Sequence, residues 1–308
     1  MTRLAGRIVI VTGAGRGLGR AHALLLASLG ASVVVNDLGS DVHGEGADVS
    51  PGAAVVAEIQ ELGGRAVVSG HDVADWKQAE ELVQLAIDTF GDVHALVNNA
   101  GILRDRTIAN LSEDEWDAVI RVHLKGHAAP TRHAMAYWRM QAKAGRNVRA
   151  SIVHTTSIAA FGGNFGQANY TAAKSAIIGL SRVAALEGER YGVRSNAVSP
   201  SARTRLGLES PGAEEAFGPP ALEGAFDRFD PANVSPLVAW LVDADCPADA
   251  QIFHIDGNRV CVVQMPSVVH ELNTPGRWTL EALDEQLPSR LLRPPEVGDF
   301  LDVIQTGA

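Results

Sequence analysis

Short apolar runs alternate with longer amphipathic stretches along most of the chain. Each run has the length of a strand and few polar positions inside it, which is typical of strands buried on both faces of a parallel sheet. We predict strands over residues 7–12, 31–36, 65–69, 93–97, 149–155, 193–198 and 251–255. The pattern therefore predicts a sheet whose strands are separated by helices.

The stretches between the runs carry helix signals at their ends. Ser112 and Glu115 form the S-x-x-E pattern of a capping box, and Gly30 suits the end of a helix. We predict helices ending near residue 29, over 51–62, 75–90 and 113–140, around Tyr170 to about residue 191, and over 234–242. Strand and helix alternate without an internal repeat. Because crossovers are right-handed, this order predicts an α/β, doubly wound parallel sheet of about seven strands, with helices on both faces and ligands at the carboxyl ends of the strands.

Composition and charge narrow the class of protein. The 308 residues are 46% hydrophobic and 20% charged, as in ordinary globular proteins. The net charge of −10 argues against binding nucleic acid or an anionic membrane. Two cysteines, Cys246 and Cys261, are too few for a disulfide framework. We find no signal-peptide pattern and no run long enough to span a bilayer, so we expect a cytoplasmic protein without a membrane partner.

A glycine-rich loop joins the first strand to the first helix. It contains Gly13, Gly17 and Gly19 in a G-x3-G-x-G spacing, with Arg16 and Leu18 between the glycines. Glycines at such a junction let the backbone approach a pyrophosphate at the helix N-terminus. We therefore predict a dinucleotide site here. The alternative is a glycine-rich turn that binds nothing.

Two acidic residues at strand ends bear on the choice of dinucleotide. Asp37 follows the second strand, where a carboxylate accepts hydrogen bonds from the adenosine ribose and repels the phosphate of NADP. Arg16 acts in the opposite direction, because a cation in the glycine loop can pair with that phosphate. We give more weight to Asp37 and predict NAD as the cofactor, with NADP as the alternative. Asp72, after the third strand, is a candidate contact for the adenine amino group or, alternatively, a helix N-cap.

Ser157, Tyr170 and Lys174 form the candidate catalytic group. A phenol is a poor base at neutral pH, because its pKa lies near ~10. Lys174 lies one helical turn after Tyr170, so its ammonium favours the phenolate. Ser157, delivered by the fifth strand, can hydrogen-bond a substrate oxygen while a proton moves. The alternative is a buried tyrosine beside a solvated lysine.

Five motifs in order resemble those of the short-chain dehydrogenase/reductase family over residues 5–260. They are Thr12-Gly13-x3-Gly17-x-Gly19, Asn98-Asn99-Ala100-Gly101, Ser157, Tyr170-x3-Lys174 and Asn196-Ala197-x-x-Pro200. The resemblance implies a single-domain Rossmann-type fold, NAD(P)-dependent oxidoreduction and a homodimer or homotetramer. It also implies that Val73, Asn99, Ala100, Gly101 and Thr204 contact the cofactor.

Residues 35–39 and 122–126 are similar to those of a subgroup, the hydroxyacyl-CoA dehydrogenase domain of peroxisomal multifunctional enzymes.

Three positions depart from the family pattern. His123 replaces an asparagine that holds a water in the proton relay, Ser201 replaces a glycine, Thr204 comes one residue early, and Asn258 replaces a second glycine. The imidazole of His123 could serve the relay through water, or the relay could use the backbone alone; we expect a structural role for His123. His123 and His127 are spaced as a possible metal pair, but we favour two satisfied histidines and predict no metal.

Residues in the last third of the chain are expected to cover the bound substrate. Within a catalytic domain over 1–263, residues 203–230 are expected to be a mobile lid with aromatic residues, or a variable surface loop. We expect residues 264–308 to form an extension that packs on the same domain or a neighbouring subunit, with a short helix near 278–283.

The sequence thus predicts an NAD(H)-dependent oxidoreductase that interconverts a secondary alcohol and a ketone. A 3-hydroxyacyl-CoA or a steroid-like molecule is the favoured small-molecule substrate. One alternative is an NADPH-dependent 3-ketoacyl reductase. An alternative of another class is a non-catalytic dinucleotide-binding sensor or scaffold, which we would expect to have lost Tyr170 or Lys174.

Overall fold

The structure is a computed structural model that describes residues 2–208, 217–222, 224–264, 266, 268 and 271–290. The chain divides into two compact units, Met1–Val263 and Gln264–Ala308. The first unit contains the whole sheet. In the second, the described residues include one helix, Leu280–Arg290, which is longer than the short helix expected near 278–283.

Eight strands form one sheet in the order β3-β2-β1-β4-β5-β6-β7-β8. They are β1 Ile8–Thr12, β2 Ser32–Asn36, β3 Arg65–Ser69, β4 Ala95–Asn98, β5 Ala150–Thr155, β6 Val193–Ser201, β7 Ile252–Asp256 and β8 Arg259–Val263. Strands β1 to β7 pair in parallel, and only β8 is antiparallel to its neighbour β7. The predicted α/β fold with a doubly wound sheet is confirmed.

The eighth strand was not predicted. β7 and β8 form a hairpin in which Asp256 pairs with Arg259, so Gly257 and Asn258 are the two loop residues. Gly257 has a φ of +57°, as the first position of a tight two-residue turn requires. Asn258, which departs from the family pattern, thus lies in the turn between β7 and the additional strand β8. β6 also runs three residues past its predicted end, because Ser199, Pro200 and Ser201 pair with β7.

Helices cover both faces of the sheet. Among the described residues of the first unit they are α1 Gly17–Ser28, α2 Ser50–Glu61, α3 Trp76–Phe90, α4 Glu113–Ile120, α5 Gly126–Lys143, α6 Ala159–Gly162, α7 Ala168–Gly188, α8 Arg205–Leu208 and α9 Ser235–Val242. The helix of the second unit, Leu280–Arg290, is α10. Short 3-10 segments lie at Ile108–Asn110, Glu189–Tyr191 and Pro231–Val234. The predicted single helix over 113–140 is in fact α4 and α5 joined by the π-helical segment Arg121–Lys125. None of the described helices is long and apolar enough to cross a membrane.

Residues alternating along β1 supply two separate cores. Val9 and Val11 pack on one face of the sheet with the residues of α1 and α9, whereas Ile8 and Ile10 pack on the other face with those of α3 and α5. Every residue of β1 is buried, which explains its continuous apolar sequence. The chain reverses direction along the sheet between β1 and β4, so a crevice opens at the carboxyl ends of these strands. The candidate site is built on that edge.

Candidate active site

Tyr170 and Lys174 lie one turn apart at the start of α7. The Nζ of Lys174 is 5.5 Å from the centre of the Tyr170 ring and donates a hydrogen bond of 2.7 Å to the carbonyl of Thr155, the last residue of β5. Lys174 is only 3% exposed, and burial lowers its pKa to about 7. A group with this pKa holds and releases a proton near neutral pH.

Ser157 follows β5 and meets the same tyrosine. Its hydroxyl accepts a hydrogen bond of 3.2 Å from the backbone N–H of Ala159. Burial raises the pKa of the Tyr170 phenol to about 12, a hydrogen bond with the Ser157 side chain acts to lower that pKa, and the carboxylate of Asp105 raises it further. The structure therefore brings the three predicted catalytic side chains together. Ser157 thus acts to lower the pKa of Tyr170, and the effect of the Lys174 ammonium stays a prediction.

The glycine loop ends at an open helix N-terminus. Arg16 has an extended backbone just before α1, and among the described residues no side chain caps this helix. The first N–H groups of α1 are therefore free to bind an anion. Gly17 has a φ of +51°, and a Cβ built on it would lie 3.5 Å from the nearest described atom, the Cγ2 of Thr204. This cradle fits the pyrophosphate of a dinucleotide.

Gly13, Leu18 and Gly19 of this loop pack closely against neighbouring residues of the protein. A Cβ on Gly19 would lie 2.1 Å from the carbonyl oxygen of Gly13, and one on Gly13 would lie 2.8 Å from the Cα of Ala100. Leu18 packs against the core. These glycines are thus needed for the close packing of the loop on itself and on Ala100, with or without a ligand.

Asp37 lies at the rim of this loop, at the end of β2. Its Oδ2 accepts a hydrogen bond of 2.6 Å from the N–H of Gly15, and its Oδ1 accepts one of 2.7 Å from the N–H of Gly39. The carboxylate is therefore held in place by the glycine loop. Arg16 is exposed on the same loop.

Asp72 and Val73 lie at the end of β3, away from a capping position. The Asp72 carboxylate forms an ion pair with Arg121 and accepts a hydrogen bond of 2.8 Å from the N–H of Ala74. Val73 is buried. The N-cap of α3 is Asp75, whose side chain accepts hydrogen bonds from Lys77 and Gln78, so the capping alternative for Asp72 is wrong.

Asn99, Ala100 and Gly101 join β4 to the glycine loop. The hydroxyl of Thr12 accepts hydrogen bonds from the N–H groups of Asn99 and Ala100, at 2.9 and 3.1 Å. The Asn99 amide donates to the carbonyls of Thr12 and Gly13, at 3.1 and 3.2 Å. The motif thus fixes the two halves of the crevice to each other.

The comparison with known families agrees with this geometry. The profile of the short chain dehydrogenase family matches residues 7–206, which include the glycine loop and all three candidate catalytic residues. This chain belongs to the short-chain dehydrogenase family. It is accordingly an oxidoreductase that acts on CH–OH groups, and members of this family use NAD or NADP.

Two curated relatives of this short-chain dehydrogenase are informative. It is 41% identical to a hydroxyacyl-CoA dehydrogenase of Mycobacterium tuberculosis, over 89% of this chain and 85% of that one. It is 42% identical to the peroxisomal multifunctional enzyme type 2 of Mus musculus, over 82% of this chain but only 32% of the mouse enzyme. The resemblance to this subgroup is confirmed.

A solved structure supports the same assignment. The crystal structure of a short chain dehydrogenase from Mycobacterium avium superposes with a TM-score of 0.84 at 46% sequence identity. The match covers 95% of this chain and 98% of that one.

In this short-chain dehydrogenase, His123 lies inside the π-helical segment Arg121–Lys125. It is fully buried, and its Nε2 is 2.8 Å from the carbonyl oxygen of Ile102, to which the Nε2–H tautomer donates. Its ring centre is 5.2 Å from that of Tyr170, in an edge-to-face contact. A Cβ on Gly101 would lie 2.4 Å from the His123 ring, so the glycine of the Asn-Ala-Gly motif makes room for it. Burial and the Lys174 ammonium lower the pKa of His123 well below its usual range.

His127 pairs with a histidine that the sequence analysis did not single out. The Nδ1 atoms of His127 and His154 are 3.3 Å apart, and the rings stack at 5.5 Å. Burial lowers the pKa of His154 to about 3 and that of His127 well below its usual range, so both are neutral. Among the described residues no cluster of three metal-ligating side chains occurs.

The segment expected to form a lid is described except for residues 209–216 and 223. Arg203, at its base, donates hydrogen bonds to the carbonyls of Phe217 and Gly218, at 2.9 and 3.0 Å, and pairs with Asp227 at 2.6 Å. Phe217 packs on Phe229 with ring centres 5.0 Å apart. The aromatic residues of this stretch are therefore partly used to hold the stretch together.

Sequence reasoning missed two features around Tyr170. The first is Asp105, which lies in the loop after β4 and acts on the tyrosine through space. The second is a cavity of about 380 Å³ next to the start of α7. It is lined by Arg106, Thr107, Ile108, Gly163, Asn164, Phe165, Gly166, Ala168 and Thr171. The two loops that form it meet only in the folded chain, so local sequence patterns contain no signal for it.

Proposed function

We propose that this chain is an NAD(H)-dependent oxidoreductase that interconverts a secondary alcohol and a ketone, with Tyr170 as the acid/base. The observation that carries the proposal is the convergence of the Ser157 hydroxyl, the Tyr170 phenol and the buried Lys174 amine at one edge of the sheet. The uncapped start of α1 lies on the same edge and provides the place for a dinucleotide.

Each of the three side chains has a separate task in this proposal. The nicotinamide, when bound, supplies the acceptor or donor of hydride. Tyr170 removes the hydroxyl proton of the alcohol as its carbon is oxidised, or returns it to the ketone oxygen. Ser157 donates a hydrogen bond that stabilises the negative charge on that oxygen. Lys174 holds the nicotinamide ribose, and its positive charge favours the phenolate.

The predicted dinucleotide contacts would divide into three groups around the crevice. Gly13, Arg16, Gly17, Leu18 and Gly19 would face the pyrophosphate, Asp37, Asp72 and Val73 the adenosine, and Asn99, Ala100, Gly101 and Thr204 the nicotinamide half. Two features support parts of this assignment, the open N-terminus of α1 and the position of Thr204 opposite Gly17.

We infer NAD as the cofactor from the position of Asp37. Its carboxylate is anchored to the glycine loop by two backbone hydrogen bonds, so it cannot easily swing away from a phosphate on the adenosine ribose. Arg16 favours the alternative, an NADPH-dependent 3-ketoacyl reductase, because its exposed guanidinium can pair with that phosphate.

For the substrate we propose a 3-hydroxyacyl thioester such as a 3-hydroxyacyl-CoA. The cavity supports an extended apolar chain, because Ile108, Phe165 and Ala168 line it beside the first turn of α7, the turn that carries Tyr170. Ile108 and Phe165, which line the cavity, are 79% and 83% exposed, so both side chains are open to a ligand. The hydroxyacyl-CoA dehydrogenase of Mycobacterium tuberculosis supports the same substrate class. A steroid-like alcohol remains the second choice.

Two measurements test the proposal. The protein is incubated with NAD⁺ or NADP⁺ and with 3-hydroxyacyl-CoA esters of increasing chain length, a steroid alcohol and small alcohols, and reduced cofactor is followed by absorbance. We expect the highest kcat/KM with NAD⁺ and the longer thioesters. Phe165→Ala is expected to raise KM for long chains by up to ~10-fold and to leave short chains unaffected, because each methylene contributes roughly 1 kcal/mol. A preference for small alcohols, or for NADP⁺, would contradict the substrate or the cofactor assignment respectively.

The quaternary structure is a prediction as well. We expect a homodimer or homotetramer, as the family resemblance implies. Light scattering of the purified protein measures this directly, and a monomer at micromolar concentration would contradict it.

A further inference from the structure

One carboxamide connects the catalytic tyrosine to two other elements. Asn169, the residue before Tyr170, is fully buried. Its Oδ1 accepts a hydrogen bond of 2.7 Å from the backbone N–H of Tyr170. Its Nδ2 donates to the carbonyl of Arg104 at 2.9 Å and to the carbonyl of Glu115 at 3.1 Å. The single side chain thus joins the first turn of α7 to the loop after β4 and to the first turn of α4.

The N-terminus of α7 needs such a support. Its N-cap residue is Gln167, and no described side chain caps the helix at that residue. The Gln167 amide instead donates a hydrogen bond of 2.7 Å to the carboxylate of Asp105. The backbone N–H of Arg106 also donates to the carbonyl of Gly166 at 2.7 Å. Amide groups on both sides of Ala168 therefore fix the segment before Tyr170 to residues 104–106, which follow the Asn99-Ala100-Gly101 motif.

Lys174 is held by different contacts. Its Nζ bonds the carbonyl of Thr155, and its own carbonyl accepts a hydrogen bond of 2.8 Å from the hydroxyl of Thr156. These contacts join the second turn of α7 to β5 and do not involve Asn169. Loss of the Asn169 carboxamide is thus expected to loosen the phenol and to leave the amine in place.

We propose that Asn169 is a positioning residue, whose three hydrogen bonds set the distance between the Tyr170 phenol and the cofactor side of the crevice. The proposal rests on the proposed function, in which Tyr170 is the acid/base. A displacement of about 1 Å at a reacting group can lower the rate of a reaction by ~10²-fold. The effect of Asn169 is therefore expected in the proton- and hydride-transfer step.

Asn196 offers a matched control. It is also fully buried and uses its carboxamide in the same way, accepting a hydrogen bond of 3.0 Å from the N–H of Gln251 and donating one of 2.9 Å to the carbonyl of Ala248. These bonds join β6 to the segment before β7. Asn169→Ala and Asn196→Ala thus remove equivalent groups, one bonded to the N–H of Tyr170 and one bonded to Ala248 and Gln251.

The test compares both variants with the wild-type enzyme. We expect a similar loss of Tm in both. Asn169→Ala should lower kcat by ~10²-fold, leave the Kd of NAD⁺ unchanged and raise the kinetic isotope effect of an alcohol deuterated at its carbinol carbon. Asn196→Ala should keep the wild-type kcat and isotope effect. An Asn169→Ala enzyme with wild-type kcat and isotope effect, but a lowered Tm, would overturn the proposal.

A second variant covers the case in which Asn169→Ala does not fold. Asn169→Asp keeps the acceptor for the Tyr170 N–H but turns an oxygen towards the carbonyls of Arg104 and Glu115. It should show the same loss of kcat, and a wild-type kcat in this variant would also overturn the proposal. Failure of the proposed function is recognised separately, because Tyr170→Phe would then retain turnover.

Discussion

Asp105 opposes the ionisation that Tyr170 needs. Burial raises the pKa of the phenol most, a hydrogen bond with Ser157 acts to lower it, and the carboxylate of Asp105 raises it further. Gln167 holds the carboxylate in place through a hydrogen bond of 2.7 Å. A residue on a different loop, which the sequence does not reveal as a neighbour, thus contributes to the pH at which the tyrosine becomes a base.

The variant Asp105→Asn tests this electrostatic effect. Removing the negative charge lowers the pKa of Tyr170, so the rise of alcohol oxidation with pH should move to lower pH. At a fixed pH below the wild-type pKa, kcat/KM should increase several-fold, since one pKa unit corresponds to roughly a tenfold change in the ionised fraction. The pH profile of kcat/KM measures the shift. Asp88→Asn, an exposed change on α3, is the control, and an unshifted profile in Asp105→Asn would exclude the effect.

At the scale of elements, the π-helical segment between α4 and α5 distinguishes this site. Five residues, Arg121–Lys125, widen the helix and turn His123 into the core, against Ile102 and the Tyr170 ring. Such segments are often found at functional sites. The sequence predicts the helix but not its interruption, because a π segment has no distinct pattern of apolar positions. The capping box at Ser112, in contrast, is local and was predicted.

The variant His123→Asn tests the role of this segment. It places the asparagine of the family pattern in the site and removes the larger imidazole. If His123 is structural, as we expect, kcat should stay within ~3-fold of wild type. The free energy of unfolding should fall by about 1–2 kcal/mol because a cavity is left. Steady-state kinetics and chemical denaturation measure the two quantities. A loss of kcat of more than 100-fold would show that the imidazole takes part in the proton relay.

At the scale of the whole molecule, the catalytic lysine lowers the stability of the fold. Burial lowers the pKa of Lys174 to about 7, from 10.5 for a lysine in water. The unfolded chain therefore binds a proton more tightly than the folded one between these two values. The cost of burying the charge is fully present below pH 7 and is relieved as the pH rises towards 10.5. Lys174 is thus kept for activity although its burial lowers the stability of the fold.

The variant Lys174→Met tests this cost in the protein without cofactor. It should abolish turnover but raise the free energy of unfolding at neutral pH by on the order of 2 kcal/mol, since no charge is buried. The gain should shrink as the pH is raised above 7. Chemical denaturation at several pH values measures it. Lys143→Met, an exposed change on α5, should have no such effect, and a destabilised Lys174→Met protein would contradict the account.

The large-scale topology could be predicted because it follows from properties that are local in the sequence. Apolar strands, capped helices and the right-handed crossover rule predict a doubly wound parallel sheet of about seven strands. The hairpin strand β8 was missed, because Val260 and Val262 are half-exposed and the run is not bounded as a buried strand is. The contacts of Asp105, Asn169 and the cavity by Phe165 join segments about 50 to 65 residues apart. Only the folded chain brings them together.

The central claim is that the phenol of Tyr170 transfers the proton of the reaction. Tyr170→Phe removes a single hydroxyl from a site whose other contacts are unchanged. The most direct measurement is kcat for oxidation of a 3-hydroxyacyl-CoA together with the Kd of NAD⁺, in wild type and in this variant. The account predicts a loss of kcat of at least ~10²-fold, in the range of general acid/base catalysis, with an unchanged Kd. Turnover close to wild type in Tyr170→Phe would contradict it.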